Sequence, residues 1–464
     1  MESFHLSSRG TPMKSDEIRN SFVKYYESMG YEVLPSTPMI DPSIPMSFVM
    51  SAGLVQVESS LQELGKTYRN RFVLVQKCFR HFDLDRVGSD DIHLSLFEMP
   101  GAFVFGPIDK SESIQNMWEL AIEILDINKS RVWASYFGGD RVAGEDLEPD
   151  DTTRGIWLNL GLHLDHVVGL GAEHNYWIQG KGLDIPGIER KCGVNTELFF
   201  ERENRVACGE CCRPGCTCGR FIEFSNSLFI TSTIDPITSR LEQLPEPFTE
   251  TVIGTERVAL IKQKASSIFG TTEYRSIVEL IRGFISTRDL PSTFVEKCVC
   301  VMADHLKALY TLIDNGAPPP GKDGRQRIIK ILIRKIIARQ IVLGIATDDL
   351  LKTILPSIAG ASSHSSNDHT TQKVVEAYYN VQVEKFSKTI ERGRNHLMRL
   401  LEENNGKTLT GPQILRLEKQ WGLPALLTQT ILWKEGLNFP ETDYLKSLHL
   451  VQQPNNRTQI RGGL

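Results

Sequence analysis

Five cysteines fall within eleven residues of the segment VACGECCRPGCTCGRF, from Cys208 to Cys218, in a chain that holds nine. Thiolates at such short spacing can close around a tetrahedral Zn2+, with sulfur about 2.3 Å from the metal. Pro214, Gly215 and Gly219 permit the tight turns this needs. Cys208, Cys212, Cys216 and Cys218 make a closed structural site with one thiol left over. Whether Cys211 or Cys212 is the fourth ligand stays open at this point. Disulfides are the alternative. Redox catalysis has no thioredoxin-like pattern around it.

A second chemistry rests on arginine. QKCFRHFDLDRVG (76–88) reads as a strand that ends at Arg80 and runs into an acidic loop. HLSLFEMPGAFVFG (93–106) begins with His93 and carries Phe97 and Glu98. In IGTERVALI (253–261) a glycine opens a helix bearing Glu256 and Arg257. A guanidinium offers a planar fork that matches phosphate oxygens. An aromatic ring can cover a nucleobase. Taken singly, each arginine serves a structural ion pair equally well.

Elements must hold these groups. RFVLVQKCF (71–79) alternates and is β-rich, and with the strand from HLSLFEMPGAFVFG it suggests an antiparallel hairpin. YEVLPSTPM reads as a strand broken by prolines, and RVWASYFGG, HNYWIQG and FIEFSNSLFIT read as further strands. Ile18, Phe22 and Tyr25 recur at helical spacing, and SESIQNMWELAIEILDI (111–127) is amphipathic. Beyond about residue 255 the texture turns helical. The spacing predicts a polar surface loop over 357–372 and one long helical span from KVVEAYY to LLEENN. The fold class is therefore α+β, with a mostly antiparallel sheet flanked by helices and an all-helical domain after it.

With 464 residues, two to four domains are expected. A net charge of −5 leaves nucleic-acid binding to a local basic patch. No run of eighteen apolar residues occurs, and MESFHLSSRGTPMKSDEIRN lacks a secretory core. A cytoplasmic location is expected, where thiols stay reduced.

In their order along the chain, these segments resemble the class II aminoacyl-tRNA synthetases, and among them the alanyl-tRNA synthetase family. QKCFRHFDLDRVG resembles the second class motif and IGTERVALI the third. HLSLFEMPGAFVFG, HNYWIQG and KCGVNTELFF are similar to signature segments of the family. So, in the helical part, are PPPGKDGRQRIIKILIRKIIARQIVLG and EKQWGLPALLTQTILWKEGL. The resemblance implies a loose leader over 1–13, a catalytic adenylation domain over 14–260 with a cysteine-rich insertion at 206–220, and a helical tRNA-recognition-like domain over 261–464. It also implies a short form, without the editing and C-terminal domains, that is a monomer or weak dimer.

For function, the resemblance implies ATP-dependent activation of a small amino acid, alanine first, and its transfer to a tRNA without editing. The alternatives are transfer to a non-tRNA acceptor, or an inactive RNA-binding relative. Arg80 would hold the α-phosphate and Arg257 the γ-phosphate end. His93, Phe97, Glu98 and Glu256 complete the ATP site, with Glu98 or Glu256 helping to hold Mg2+. Trp177, Asn226 and Glu250 fall on the amino-acid pocket. Ser225, replacing an aromatic residue, is expected to enlarge that pocket, and Val252, replacing a glycine, to narrow a loop that needs close approach. The tRNA acceptor stem would meet Lys322, Arg325, Arg327, Lys330, Arg334 and Lys419. Lys322 and Lys419 fall at or near two base-reading positions of the family, where lysine can grip phosphate but offers no acceptor.

Overall fold

The computed structural model describes residues 12–40, 70–180, 189–287, 289–361, 368–404 and 407–452. The expected leader lies almost wholly outside the described residues. The chain divides into two compact units, Met1–Ser276 and Ile277–Leu464.

The first unit opens with α1 (Ser15–Ser28), which buries Ile18, Phe22, Tyr25 and Tyr26 on one face. Strand β1 (Glu32–Val33) is only two residues long. Pro35 and Pro38 follow it and cannot donate to a ladder, which cuts short the strand expected there. β2 (Arg71–Phe79) and β3 (Leu96–Phe105) form the expected antiparallel hairpin, with Cys78 opposite Phe97. α2 (Lys110–Glu119) is capped by Asp109, whose Oδ1 accepts the Glu112 N–H at 2.9 Å. It continues into a π-helical turn, Leu120–Ile124, where periodicity alone reads one regular helix. Asp109→Ala removes the cap and is expected to cost about 1 kcal/mol, measurable by denaturant unfolding.

Next come β4 (Val132–Phe137), β5 (Asp140–Val142), β6 (Glu145–Leu147), α3 (Asp151–Asn159), β7 (Val167–Leu170), α4 (Ala172–Asn175) and β8 (Tyr176–Ile178). The long strands β9 (Arg190–Glu201), β10 (Phe221–Ile234) and β11 (Leu241–Ile253) lead into α5 (Thr255–Lys262). The main sheet runs β1-β2-β3-β11-β10-β9-β4-β7, with β8 paired to β9. Among the described residues only β1–β2 and β4–β7 pair in parallel.

Directly opposed residues share a face of a sheet, so the register assigns the two faces. Val73, Ala102, Thr251, Ser227 and Thr196 form one cross-strand row. This face packs on the helices: Ile18, Phe22 and Tyr26 of α1, Ile114 and Met117 of α2, and Val258 of α5 join Val73, Ala102 and Phe229 in one core. On the other face, Phe72, Leu74, Phe103, Leu228, Ile230 and Phe248 form a smaller apolar cluster, with Trp177 packed against it.

The second unit is helical. After α6 (Thr272–Gly283), which spans the division, come α7 (Ser292–Asp314), α8 (Gly324–Leu343), α9 (Thr347–Ala361), α10 (Asp368–Glu403), α11 (Gly411–Trp421), α12 (Ala425–Lys434) and α13 (Glu441–Gln452). Of the surface loop expected over 357–372, residues 357–361 are the end of α9 and 368–372 the start of α10, both helical, and 362–367 lie outside the described residues. Leu355, Ile358 and Ala359 are buried, and this apolar face outweighs the polar composition around it.

Candidate active site and cysteine centre

The face of the sheet that carries the small apolar cluster turns polar toward one end. One cross-strand row reads Leu74, Gly101, Val252, Asn226, Glu197. The next reads Phe72, Phe103, Glu250, Leu228, Asn195, and a third includes Phe248, Ile230, Gly193 and Trp177. Trp177, Asn226 and Glu250 therefore occupy one patch of adjoining strands. Asn226 accepts from Asn195 Nδ2 and donates to Glu197 Oε1, both at 3.2 Å. Glu250 is buried at 3 % exposure.

Two expectations about this pocket change. Ser225 lies on the opposite face from Asn226, buried, with its Oγ donating to the Val252 carbonyl at 2.9 Å. It does not enlarge the pocket, because neighbours along a strand point to opposite sides. Val252 sits directly across from Gly101, where an added Cβ would come within 3.4 Å of Val252 Cγ1. The missing side chain of Gly101 makes room for the valine.

Arg80 follows the last residue of β2, and its N–H donates to the Ser95 carbonyl at 2.8 Å. Its guanidinium lies over the Phe97 ring, 4.8 Å from the centroid. Arg257, in the first turn of α5, donates through Nη1 to both the carbonyl and the Oε2 of Glu223, each at 2.9 Å. Glu223 shares a face with Asn226 only because of a bulge in β10 between Glu223 and Ser225. An extra residue in one strand reverses the alternation. Phe97 on β3 and Glu223 on β10 thus face the same side, with β11 between them. Two inter-strand spacings are about 10 Å, so the guanidiniums flank a stretch of sheet end where the chain turns at Gly254 into α5.

Glu98 and Glu256 frame this stretch. Arg19 of α1 donates to both oxygens of Glu98, 2.7 Å to Oε1. Glu256 accepts the backbone N–H of Glu98 at 3.0 and 3.1 Å, tying α5 to β3. The Cys78 thiol, buried among these groups, is pushed up to about 12 by burial. Arg80 opposes the shift, and Glu250, Glu256 and Glu98 reinforce it. His93 lies just before β3, with Nδ1 against Asp90 Oδ2.

Reading the sequence for arginines and for the pocket missed a carboxylate pair. Glu197 and Glu223 are diagonal neighbours on β9 and β10. Burial first, and then the Glu223 charge, hold the Glu197 carboxyl well above the usual carboxylate range. Arg257 and a hydrogen bond from Ser135 pull the other way. A carboxyl whose folded pKa exceeds its unfolded value binds more protons when folded. Stability therefore falls as pH rises from the ordinary carboxylate range toward the folded value. Glu197→Gln removes that loss. Its Tm is expected to match wild type near pH 4 and to exceed it at pH 8. Thermal unfolding at the two pH values checks this.

The cysteine loop joins β9 to β10. The Sγ atoms of Cys208, Cys212, Cys216 and Cys218 all lie within 4.8 Å of one another, 3.3 Å for Cys208–Cys216 and 3.6 Å for Cys212–Cys218. A tetrahedral zinc with 2.3 Å bonds has sulfurs about 3.8 Å apart, so the four fit such an ion. Cys211 is exposed and outside the group. All nine cysteines are free thiols. The Cys212 thiol is brought down to about 7, first by a backbone hydrogen bond at Cys208 and then by Cys218, Cys208 and Arg220, against burial.

In the helical unit, Lys322 precedes α8, and Arg325, Arg327, Lys330 and Arg334 follow along it. Arg327, Lys330 and Arg334 are three and four residues apart on α8, which brings them together on one face, and burial, then Arg334 and Arg327, lower the Lys330 pKa. Arg334 lies over the Phe386 ring of α10 at 4.8 Å. Lys419, near the end of α11, is 54 % exposed and 3.6 Å from Glu418.

The model of the family "tRNA synthetases class II (A)" matches residues 17–462. The alanine–tRNA ligase of Alkaliphilus metalliredigens is 29 % identical over 461 residues, 97 % of this chain and 49 % of the relative. That of Nitrosomonas europaea is 29 % identical over 437 residues, 92 % of this chain and 47 % of the relative. The chain thus spans about half the length of the curated relatives it matches. Among solved structures, apo histidyl-tRNA synthetase of S. aureus aligns with 58 % of this chain and 73 % of its own, at 12 % identity and a TM-score of 0.34. With the ordered motifs, the mostly antiparallel sheet and a family match over nearly the whole length, the chain belongs to the class II tRNA synthetases.

Proposed function

We propose that this protein activates a small amino acid, alanine first, with ATP and transfers it to the 3′ end of a tRNA. The observation that carries the reading is the pair of guanidiniums, Arg80 on Phe97 and Arg257 on Glu223, flanking one sheet end beside the Trp177–Asn226–Glu250 patch. In the reaction the amino-acid carboxylate attacks the α-phosphorus, a P–O bond forms to give the aminoacyl-adenylate, and pyrophosphate leaves. Charge builds on phosphate oxygens in that transition state, and fixed cations aimed at them lower the barrier.

Arg80 takes the α-phosphate and Arg257 the γ-phosphate end. The Arg80 guanidinium covers the face of Phe97 that an adenine would use, so it swings from ring to phosphate as ATP enters. His93, set by Asp90, lines the loop beside it. Glu250 receives the amino group, and Trp177 and Asn226 bound the side-chain space. Glu98 is engaged by Arg19, and Glu256 by a backbone N–H. Glu197 and Glu223, which share the face of Asn226 and are themselves bonded to Asn226 and Arg257, are the carboxylate pair that would hold a Mg2+ there, and the ion would shield the departing pyrophosphate. Cys208, Cys212, Cys216 and Cys218 would hold a structural zinc.

Lys322, Arg325, Arg327, Lys330, Arg334 and Lys419 supply an RNA-backbone face. Cations in the first turn of α8 oppose its dipole, a cost offset when phosphate lies against them. ATP–pyrophosphate exchange over a panel of amino acids, followed by aminoacylation of total tRNA, tests the reading. Alanine-dependent exchange and charging are expected. Exchange with no amino acid at all contradicts it.

A further inference from the structure

We infer that the cysteine centre positions the loop between β2 and β3, with Arg202, Arg205 and Asp91 as the link. This rests on the proposed zinc site and goes beyond it, since it gives the metal a role in nucleotide binding.

The contacts run as a chain. Arg202 stands at the root of the cysteine loop, and its N–H donates to the Arg220 carbonyl at 2.9 Å. Its side chain is only 4 % exposed. Arg202 Nη1 donates to the Gly219 carbonyl at 3.3 Å, one residue past Cys218, and to Asp91 Oδ2 at 2.9 Å. Arg202 Nη2 donates to the Ser266 carbonyl. Arg205, inside the loop, donates to the same Asp91 oxygen. Asp91 belongs to the β2–β3 loop, and the Asp91 carbonyl accepts the Ile268 N–H at 2.8 Å. Its neighbour Asp90 accepts the N–H of Ile92 at 3.0 Å and of His93 at 2.9 Å, and holds the His93 ring. Two residues further on, the Ser95 carbonyl receives the Arg80 N–H.

The other side of the cysteine loop is braced too. Gly215 adopts φ +91°, and a Cβ there would lie 3.4 Å from Leu170 and 3.7 Å from His174. The His174 carbonyl accepts Asn195 Nδ2 at 3.3 Å, beside the pocket. A loop fixed by a metal in its middle and seated at both ends is rigid. Opened at the sulfurs, it keeps no covalent or coordinate closure to hold Gly219 and Arg205 against Asp91. Buried, multiply bonded arginines transmit such a loss, because a guanidinium left short of acceptors must move.

Asp91 is not among the residues assigned to nucleotide or metal and bonds protein groups, Arg202, Arg205 and the Ile268 N–H, which makes it a positioning residue. Three readouts on the full chain test the link. Metal content is measured first, and one zinc per chain is expected in wild type and in Asp91→Asn. ATP–pyrophosphate exchange then gives KM and kcat for ATP. Asp91→Asn should raise the ATP KM about tenfold with kcat within about twofold. Zinc removal, with Mg2+ restored, should do the same in wild type and change KM less than about twofold in Asp91→Asn, since both act through one contact. Hydrogen exchange over residues 81–95 should quicken alike on zinc removal and in Asp91→Asn, a readout that needs no activity. If Asp91→Asn does not fold, Arg205→Gln at the exposed end of the link replaces it, with the same direction expected. Bound zinc with additive effects on KM, or unchanged exchange at 81–95 when zinc leaves, overturns this inference and leaves the metal reading standing. Failure to bind zinc at all overturns both.

Discussion

Arg80→Ala is expected to lower kcat/KM for ATP in pyrophosphate exchange by about 10²–10³, the loss typical of one preorganised donor at a developing oxyanion. The variant is expected to fold, because Arg80 lies just outside β2 and its backbone bond to Ser95 stays. The contact with Phe97 accounts for about 0.5–1 kcal/mol of what is lost. Arg80→Lys keeps the charge but not the planar fork, so most of the loss should persist. Unchanged exchange in Arg80→Ala, with the variant folded, would falsify the proposed role.

Gly193→Ala should be the most damaging small substitution in the sheet. A Cβ at this position would lie 2.0 Å from the Phe229 carbonyl oxygen and 2.9 Å from its carbon. Both are backbone atoms of β10, which cannot rotate away as a side chain can. Gly193 pairs with Ile230 on one side and Trp177 on the other, next to the irregularity between Ile230 and Ser232. Relief requires prising β9 from β10, an interior ladder of the main sheet. A loss above about 4 kcal/mol is expected, the range reserved for such clashes, seen as a Tm drop on the order of 10 °C or as insoluble protein. Gly155→Ala is the control. It lies in α3 with nothing within 4 Å of the added atom, so thermal unfolding should show no loss and a gain of up to about 1 kcal/mol.

Much of this was legible in the sequence because local patterns and long-range pairing agree. The alternation in RFVLVQKCF became β2, and the glycine of IGTER became the turn into α5. The close spacing of five cysteines pointed to four sulfurs that the structure brings within 4.8 Å. What escaped has particular causes. The bulge at Glu223–Ser225 decides which residues of β10 face the site, and nothing in FIEFSNS announces it. That single extra residue brings Glu223 beside Glu197, whereas Ser225 faces the helices by ordinary alternation with Asn226. The Asp91–Arg202 link joins residues 111 positions apart, in segments that read only as charged loop and strand end. The polar run before residue 362 hid the apolar face of α9.

The central claim is that one nucleotide spans Arg80 and Arg257 across a single face of the sheet. A crystal structure with a non-hydrolysable ATP analogue and alanine tests it most directly. The account predicts the Arg80 guanidinium lifted from Phe97 onto the α-phosphate and Arg257 at the γ-phosphate end. It also predicts a metal between Glu197 and Glu223, and the alanine carboxylate within reach of the α-phosphorus. An analogue bound elsewhere, with Arg80 still on Phe97 and Arg257 still on Glu223, would contradict it.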